Sequence, residues 1–267
     1  MRSTIVAAAT TLAAASAQAQ GARDELVVFA AGSLRSAMTE VARAFEAQDA
    51  AVSFKLVFGA SGLLKDRIAG GERADVFASA NMTHPEALAK AGKASPVQRF
   101  TRNTLCALVS PKVTVTPETL VDRMLDPAVK LGTSTPKADP SGDYAVQMFE
   151  RVGQQPGRAG AFDALNGKAL HLTGGPNSPP PPPGRSVYGV LVAEGRADIF
   201  ITYCTNALLA LAEQPQLKSV AIPEAINVGA DYGVAVTGTA SAAQRFVAFL
   251  LGPQGQAILT RQGFAPR

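Results

Sequence analysis

From Leu26 onward, short apolar runs alternate with stretches in which apolar residues recur every third or fourth position. The runs cover 26–31, 52–58, 76–79, 105–110, 199–203 and 232–237, each the length of a buried strand. Between them a helical period holds over 34–47, 63–69, 85–91, 144–151, 187–194, 207–212 and 242–250. This alternation predicts an α/β protein with mainly parallel sheets.

Three apolar runs end in the same way, at small residues carrying a serine, with a helical pattern directly after. The first is Val28-Phe29-Ala30-Ala31-Gly32-Ser33, and the second is Leu56-Val57-Phe58-Gly59-Ala60-Ser61-Gly62. The third, Leu131-Gly132-Thr133-Ser134, reaches Pro140-Ser141-Gly142 before the pattern that starts at Tyr144. A helix start presents unpaired N–H groups and the positive end of the helix dipole, so it attracts anions without a cationic side chain. Small residues let a ligand approach the backbone, and serine adds a hydroxyl donor. Three such ends in one chain point to a small-anion receptor.

An internal echo supports two similar halves. Gly71-Glu72-Arg73-Ala74-Asp75-Val76-Phe77 parallels Gly195-Arg196-Ala197-Asp198-Ile199-Phe200, each leading from a helix stop at Gly into a strand just after an Asp. Chance reuse of a common helix-to-strand connection is the plainer reading.

Composition narrows the class. The chain has 267 residues, 47% hydrophobic and 17% charged, enough for one large or two medium domains with ample core. Arg2, an Ala-rich apolar stretch and Ala17-Gln18-Ala19 fit an export signal over residues 1–19 rather than a membrane span. The expected mature protein is periplasmic. Losing Arg2 lowers the net charge from +4 to +3. Scattered basic residues, 6% aromatics and no Trp give no nucleic-acid surface. Cys106 and Cys204 are too few for a zinc site and form either one disulfide or two buried thiols. The low-complexity stretch 173–184, with five prolines at 179–183, reads as an extended surface loop.

The ordered motifs Val28-Phe29-Ala30-Ala31-Gly32-Ser33-Leu34, Phe58-Gly59-Ala60-Ser61-Gly62-Leu63 and Ala74-Asp75-Val76-Phe77-Ala78-Ser79-Ala80 resemble the periplasmic molybdate-binding proteins of ABC transporters. Leu251-Gly252-Pro253-Gln254-Gly255 and Gly263-Phe264 look like the same family's last helix and exit. The resemblance covers nearly the whole mature chain. It implies a two-lobed type II periplasmic-binding fold, with lobe 1 at 24–100 plus 238–267 and lobe 2 at 101–237. It further implies an anion clamped between the lobes by hydroxyls and N–H groups. By that resemblance Ser33 and Ser61 match the hydroxyl ligands of lobe 1. Ser141 matches a backbone donor of lobe 2, and Tyr203 matches a phenol on the ligand. A last backbone donor falls at Arg185 or Ser186, after a longer insertion than the family norm. Cys204 stands where the family commonly has Gly.

The implied ligand is molybdate, or tungstate, with no cofactor and no directly bound metal cation. The implied partner is a membrane permease, and the receptor is expected to be a monomer. Selectivity is expected from donors with no acceptor nearby, so that a protonated oxyanion meets unpaired hydrogens. Each residue also has a plainer role. Ser33 and Ser61 fit ordinary N-caps, Tyr203 a packed ring at a sheet edge, and Arg185 a solvated helix start. Arg35 and Lys65 are expected to raise the local potential without touching the ligand. Two other functions remain: a receptor for sulfate or a small organic acid, and an enzyme on the same fold. For the enzyme, His84 and His171 lack a nucleophile or acid partner at a recognisable spacing.

Overall fold

The computed structural model describes residues 23–180 and 184–267. The export signal expected over 1–19 and three prolines of the low-complexity stretch lie outside the described residues.

The first half begins with β1 (Asp24–Ala31), a single 3₁₀ turn (Gly32–Leu34) and α1 (Arg35–Glu46). Then come β2 (Val52–Gly59), α2 (Ser61–Ala69), β3 (Val76–Ser79) and α3 (Thr83–Lys90). A long strand, β4 (Gln98–Val109), leads into the second half. That half holds α4 (Leu120–Leu125), β5 (Leu131–Ser134), α5 (Pro140–Gly153), α6 (Ala161–Lys168) and β6 (Leu170–Thr173). It continues with α7 (Val187–Ala193), β7 (Ile199–Tyr203), α8 (Cys204–Glu213) and β8 (Lys218–Ala221). The return strand β9 (Gly229–Val236) precedes α9 (Ser241–Leu251) and α10 (Pro253–Arg261).

The strands run in the order β2-β1-β3-β9-β4-β7-β5-β6, with β8 on β4. Pairing is parallel within β2-β1-β3 and within β7-β5-β6, and antiparallel wherever β4 or β9 takes part. The expected parallel sheets are therefore the two outer groups, and two antiparallel strands carry the chain across and back. In β4, residues up to Thr104 pair with β9, while Leu105–Val109 pair with β7. β9, which the division at 100/101 and 237/238 leaves in lobe 2, pairs with β3 on one side and β4 on the other. The C-terminal helices belong to lobe 1: Phe246 meets Phe45 of α1 edge to face, with ring centroids 5.6 Å apart.

The echo is structural. Asp75 opens β3 by donating its N–H to Val27 O at 2.8 Å, and its carboxylate accepts Val27 N–H at 2.8 Å. Asp198 makes the same pair with Lys130, at 2.9 Å in both directions, just before β7. In each half one Asp satisfies two backbone groups of the neighbouring strand's start, which fixes the register of the pair. Gly71 and Gly195 precede them with φ of +95° and +70°, where a side chain would be strained.

Candidate functional site

Because β1 and β2 pair in parallel register, with Ala31 opposite Gly59, their following turns open side by side at the same sheet edge. Ser33 and Ser61 sit there, buried at 7% and 1% exposure. Neither caps its helix: Ala31 and Ala60 hold the N-cap positions, with no side-chain cap bond. Small caps leave both hydroxyls for other work. Ser61 Oγ accepts the Ala80 N–H at 3.1 Å, so its own hydrogen is free to donate. Ser33 Oγ lies 2.9 Å from the Tyr232 hydroxyl, which accepts from Asn103 Nδ2 at 3.4 Å. The Tyr232 oxygen has room for a second hydrogen, so either hydroxyl can donate in this pair, and the Ser33 hydrogen is free when Tyr232 donates. Tyr232 and Asn103 were not singled out in the sequence. They lie 199 and 70 residues from Ser33 in the numbering, and no local pattern joins them.

From the second half comes Tyr203, the last residue of β7, fully buried between the rings of Tyr232 (5.6 Å) and Tyr144 (6.3 Å). Burial drives its phenol well above the ordinary range, so it stays a neutral donor. Its hydroxyl donates to Ala80 O at 3.4 Å, which makes the Ala80 peptide a bridge between Ser61 and Tyr203. Ser33, Ser61, Tyr203, Arg185 and Ser186 line one cavity of about 390 Å³. Ser141 is buried and is not part of its lining.

The second wall departs from expectation. The Ser141 N–H donates to Asp139 Oδ1 at 3.0 Å, because Asp139 caps α5 with Pro140 at its first position. The Ser186 N–H donates to both carboxylate oxygens of Glu213 at 2.9 Å. Ser186 is itself the N-cap of α7, its Oγ accepting from Gly189 N–H at 3.3 Å. Both backbone donors expected of lobe 2 are thus held by carboxylates that also line the cavity. The second wall therefore carries acceptors, and on the first the Ala80 carbonyl accepts the Tyr203 hydrogen. Burial lifts the Asp139 carboxyl to about 6, with the Ser141 N–H opposing the shift.

Two guanidiniums balance these carboxylates. Arg35 lines the cavity and sits over the Phe58 ring, 4.6 Å from its centroid. Arg185 lines it too, with Nε 3.9 Å from Glu213 and half its side chain exposed. Lys65 instead pairs with Asp66 at 2.6 Å. The loop between β6 and α7 is not a detached surface feature: Gly174, Gly175, Ser178, Pro179 and Pro180 form part of the cavity wall. Cys106 and Cys204 are disulfide-bonded, tying β4 to the start of α8 directly after Tyr203.

A mixed sheet in two halves, crossed by two shared strands, places this cavity between the halves. The chain matches the bacterial extracellular solute-binding protein family over residues 26–265 and belongs to it. It is 35% identical over 241 residues to an uncharacterized protein of Pasteurella multocida, covering 90% of this chain and 98% of that one. It is 30% identical over 252 residues to the molybdate-binding protein ModA of Mycobacterium bovis, covering 92% and 86%. The structure resembles the sulfate-binding protein SubI of Mycobacterium tuberculosis with a TM-score of 0.75 and 21% identity, over 91% and 87% of the chains.

Proposed function

We propose that the protein is the periplasmic receptor of an ABC transporter, taking up a tetrahedral oxyanion, molybdate first and tungstate beside it, and passing it to a membrane permease. The observation that carries this reading is the first wall. Ser33 and Ser61, freed from capping, share one cavity with Tyr203 of the other lobe, and each brings a hydroxyl that can turn to a ligand. Hydroxyl and N–H donors hold an anion without a fixed counter-charge, and geometry then selects among anions. The similarity to a molybdate-binding relative supports the choice of ion. Binding stabilises the closed arrangement because the anion recruits donors from both lobes at once. The receptor is exported through its N-terminal segment, works as a monomer without a cofactor, and performs no catalysis.

A second reading, a receptor for sulfate or for an organic anion, is favoured by two observations. Asp139 and Glu213 place acceptors in the cavity. Its volume of about 390 Å³ also falls within the range common for organic ligands, roughly 300–1,000 Å³. Melting curves with molybdate, tungstate, sulfate, phosphate and small carboxylates decide between them. A ligand at about a thousand times its dissociation constant stabilises the protein by about 4 kcal/mol. Molybdate and tungstate are expected to raise the melting temperature most. A shift with carboxylates alone would move the assignment to the second reading.

A further inference from the structure

On the second wall a carboxylate lines the cavity, and behind it lies the backbone donor it holds. Asp139 Oδ1 holds the Ser141 N–H at 3.0 Å. Its other oxygen is packed against Gly174, where a Cβ would come within 2.5 Å of Oδ2, at a φ of +78° that already favours glycine. The carboxylate is therefore fixed in the wall. An arriving oxyanion brings more acceptor oxygens to face it, and two acceptors with no hydrogen between them repel. One proton turns the clash into a hydrogen bond: Asp139 keeps the Ser141 N–H on one oxygen and donates O–H to the anion from the other.

We propose that anion capture in this cleft places a shared proton between Asp139 and the bound oxyanion, so that a fully ionised anion enters together with one hydrogen ion from solvent.

This deepens the receptor reading and rests on it. Asp139, unlike Glu213, makes no salt bridge among the described residues, whereas Glu213 lies beside Arg185. The groups acting on Asp139 are the Ser134 hydroxyl, which favours its ionised form, Asp143 on its own helix, and the neutral phenols of Tyr188 and Tyr203, while Arg35, Arg185 and Glu213 line the same cavity. Asp143 disfavours the ionised form and is itself faced by Lys137 and His84. With the carboxyl already raised to about 6, protonating it at neutral pH lowers affinity only about tenfold. The same carboxyl would take a hydroxyl hydrogen from an anion that carries one, so it selects hydrogen-bearing ligands without excluding ionised ones.

The test is calorimetric titration of wild type and Asp139→Asn with sodium molybdate and with sodium sulfate, neither of which carries a proton near neutrality. Each is run between about pH 5.5 and 8.5 in buffers of different ionisation enthalpy. Wild type is expected to take up close to one proton above neutrality and to lose affinity about tenfold per pH unit there. Asparagine still caps the helix, so Asp139→Asn is expected to bind with no uptake and a flat profile. Should that variant fold poorly, the wild-type buffer series decides alone. Binding of either anion without proton uptake overturns the proposal and leaves the receptor reading standing. Uptake that persists in a folded Asp139→Asn overturns the assignment to this residue. Binding of neither anion overturns both.

Discussion

The Gly62 N–H of lobe 1 donates to the Ala138 carbonyl of lobe 2 at 2.9 Å, at the edge of the cavity. A Cβ on Gly62 would stand 2.6 Å from that oxygen and 2.7 Å from Lys137 O, both backbone atoms that cannot step aside. The two lobes are thus in backbone contact at this point, and only glycine fits the contact. Gly62→Ala is expected to fold, since alanine suits a first helical turn, yet to lose anion affinity by about 1–3 kcal/mol. Small-angle scattering should show the variant keeping its ligand-free radius of gyration when anion is added, whereas wild type contracts. Equal contraction in both would remove the role given to Gly62.

Ser33→Ala and Ser61→Ala each delete one hydroxyl donor to a charged ligand, and each is expected to weaken binding by about 1–3 kcal/mol. Neither serine caps a helix, so no capping loss should appear in stability, although Ser33→Ala also takes one hydrogen-bond partner from the Tyr232 hydroxyl. Tyr203→Phe keeps the ring between Tyr144 and Tyr232 and removes only the phenolic donor, so affinity should fall by about 1–2 kcal/mol with little change in stability. Three variants binding like wild type would mean that the cavity is not the ligand site.

The disulfide closes a loop of 98 residues between β4 and α8. Restricting a loop of that size in the unfolded chain contributes about 4–5 kcal/mol in the chain-entropy account. Unfolding free energies from denaturant titrations with and without reductant should therefore differ by several kcal/mol, with unfolding cooperative in both. An unchanged midpoint would show that the bond adds nothing to this fold.

Much of the first wall was legible in the chain because its signals are local. An apolar run ending at Ala-Gly-Ser or Gly-Ala-Ser marks a strand, a turn and a helix start within ten residues, and parallel pairing then aligns the two turns. The Asp75 and Asp198 echo was legible for the same reason. β9 was readable as a strand, but its antiparallel place between β3 and β4 was not, because contacts far along the chain set it. The relay from Asn103 through Tyr232 to Ser33 left no local trace. Asp139 did leave one. Asp-Pro-Ser at a helix start is a capping pattern, and reading it as such would have shown that the Ser141 N–H already has an acceptor. Glu213, at the far end of α8, reaches Ser186 only through the packing of α7 on α8.

Asp139 also ties stability to pH. Its folded carboxyl titrates near 6 against an ordinary 3.8, so between these values the folded state binds more protons than the unfolded one. Stability therefore falls as pH rises from about 4 to about 6 and is flat above, a loss of about 3 kcal/mol at most. Asp139→Asn lacks this term, so the gap between the two unfolding curves should change over that window and nowhere else. Parallel curves throughout would contradict the burial assigned to this carboxyl.

The central claim, that a tetrahedral oxyanion is captured between Ser33, Ser61 and Tyr203, meets its most direct test in one calorimetric titration of the full-length mature protein with sodium molybdate at neutral pH. The account predicts saturable binding of one anion per chain, abolished or weakened at least tenfold in the Ser33→Ala, Ser61→Ala double variant. No saturable heat with wild type, or an isotherm unchanged in the double variant, would contradict it.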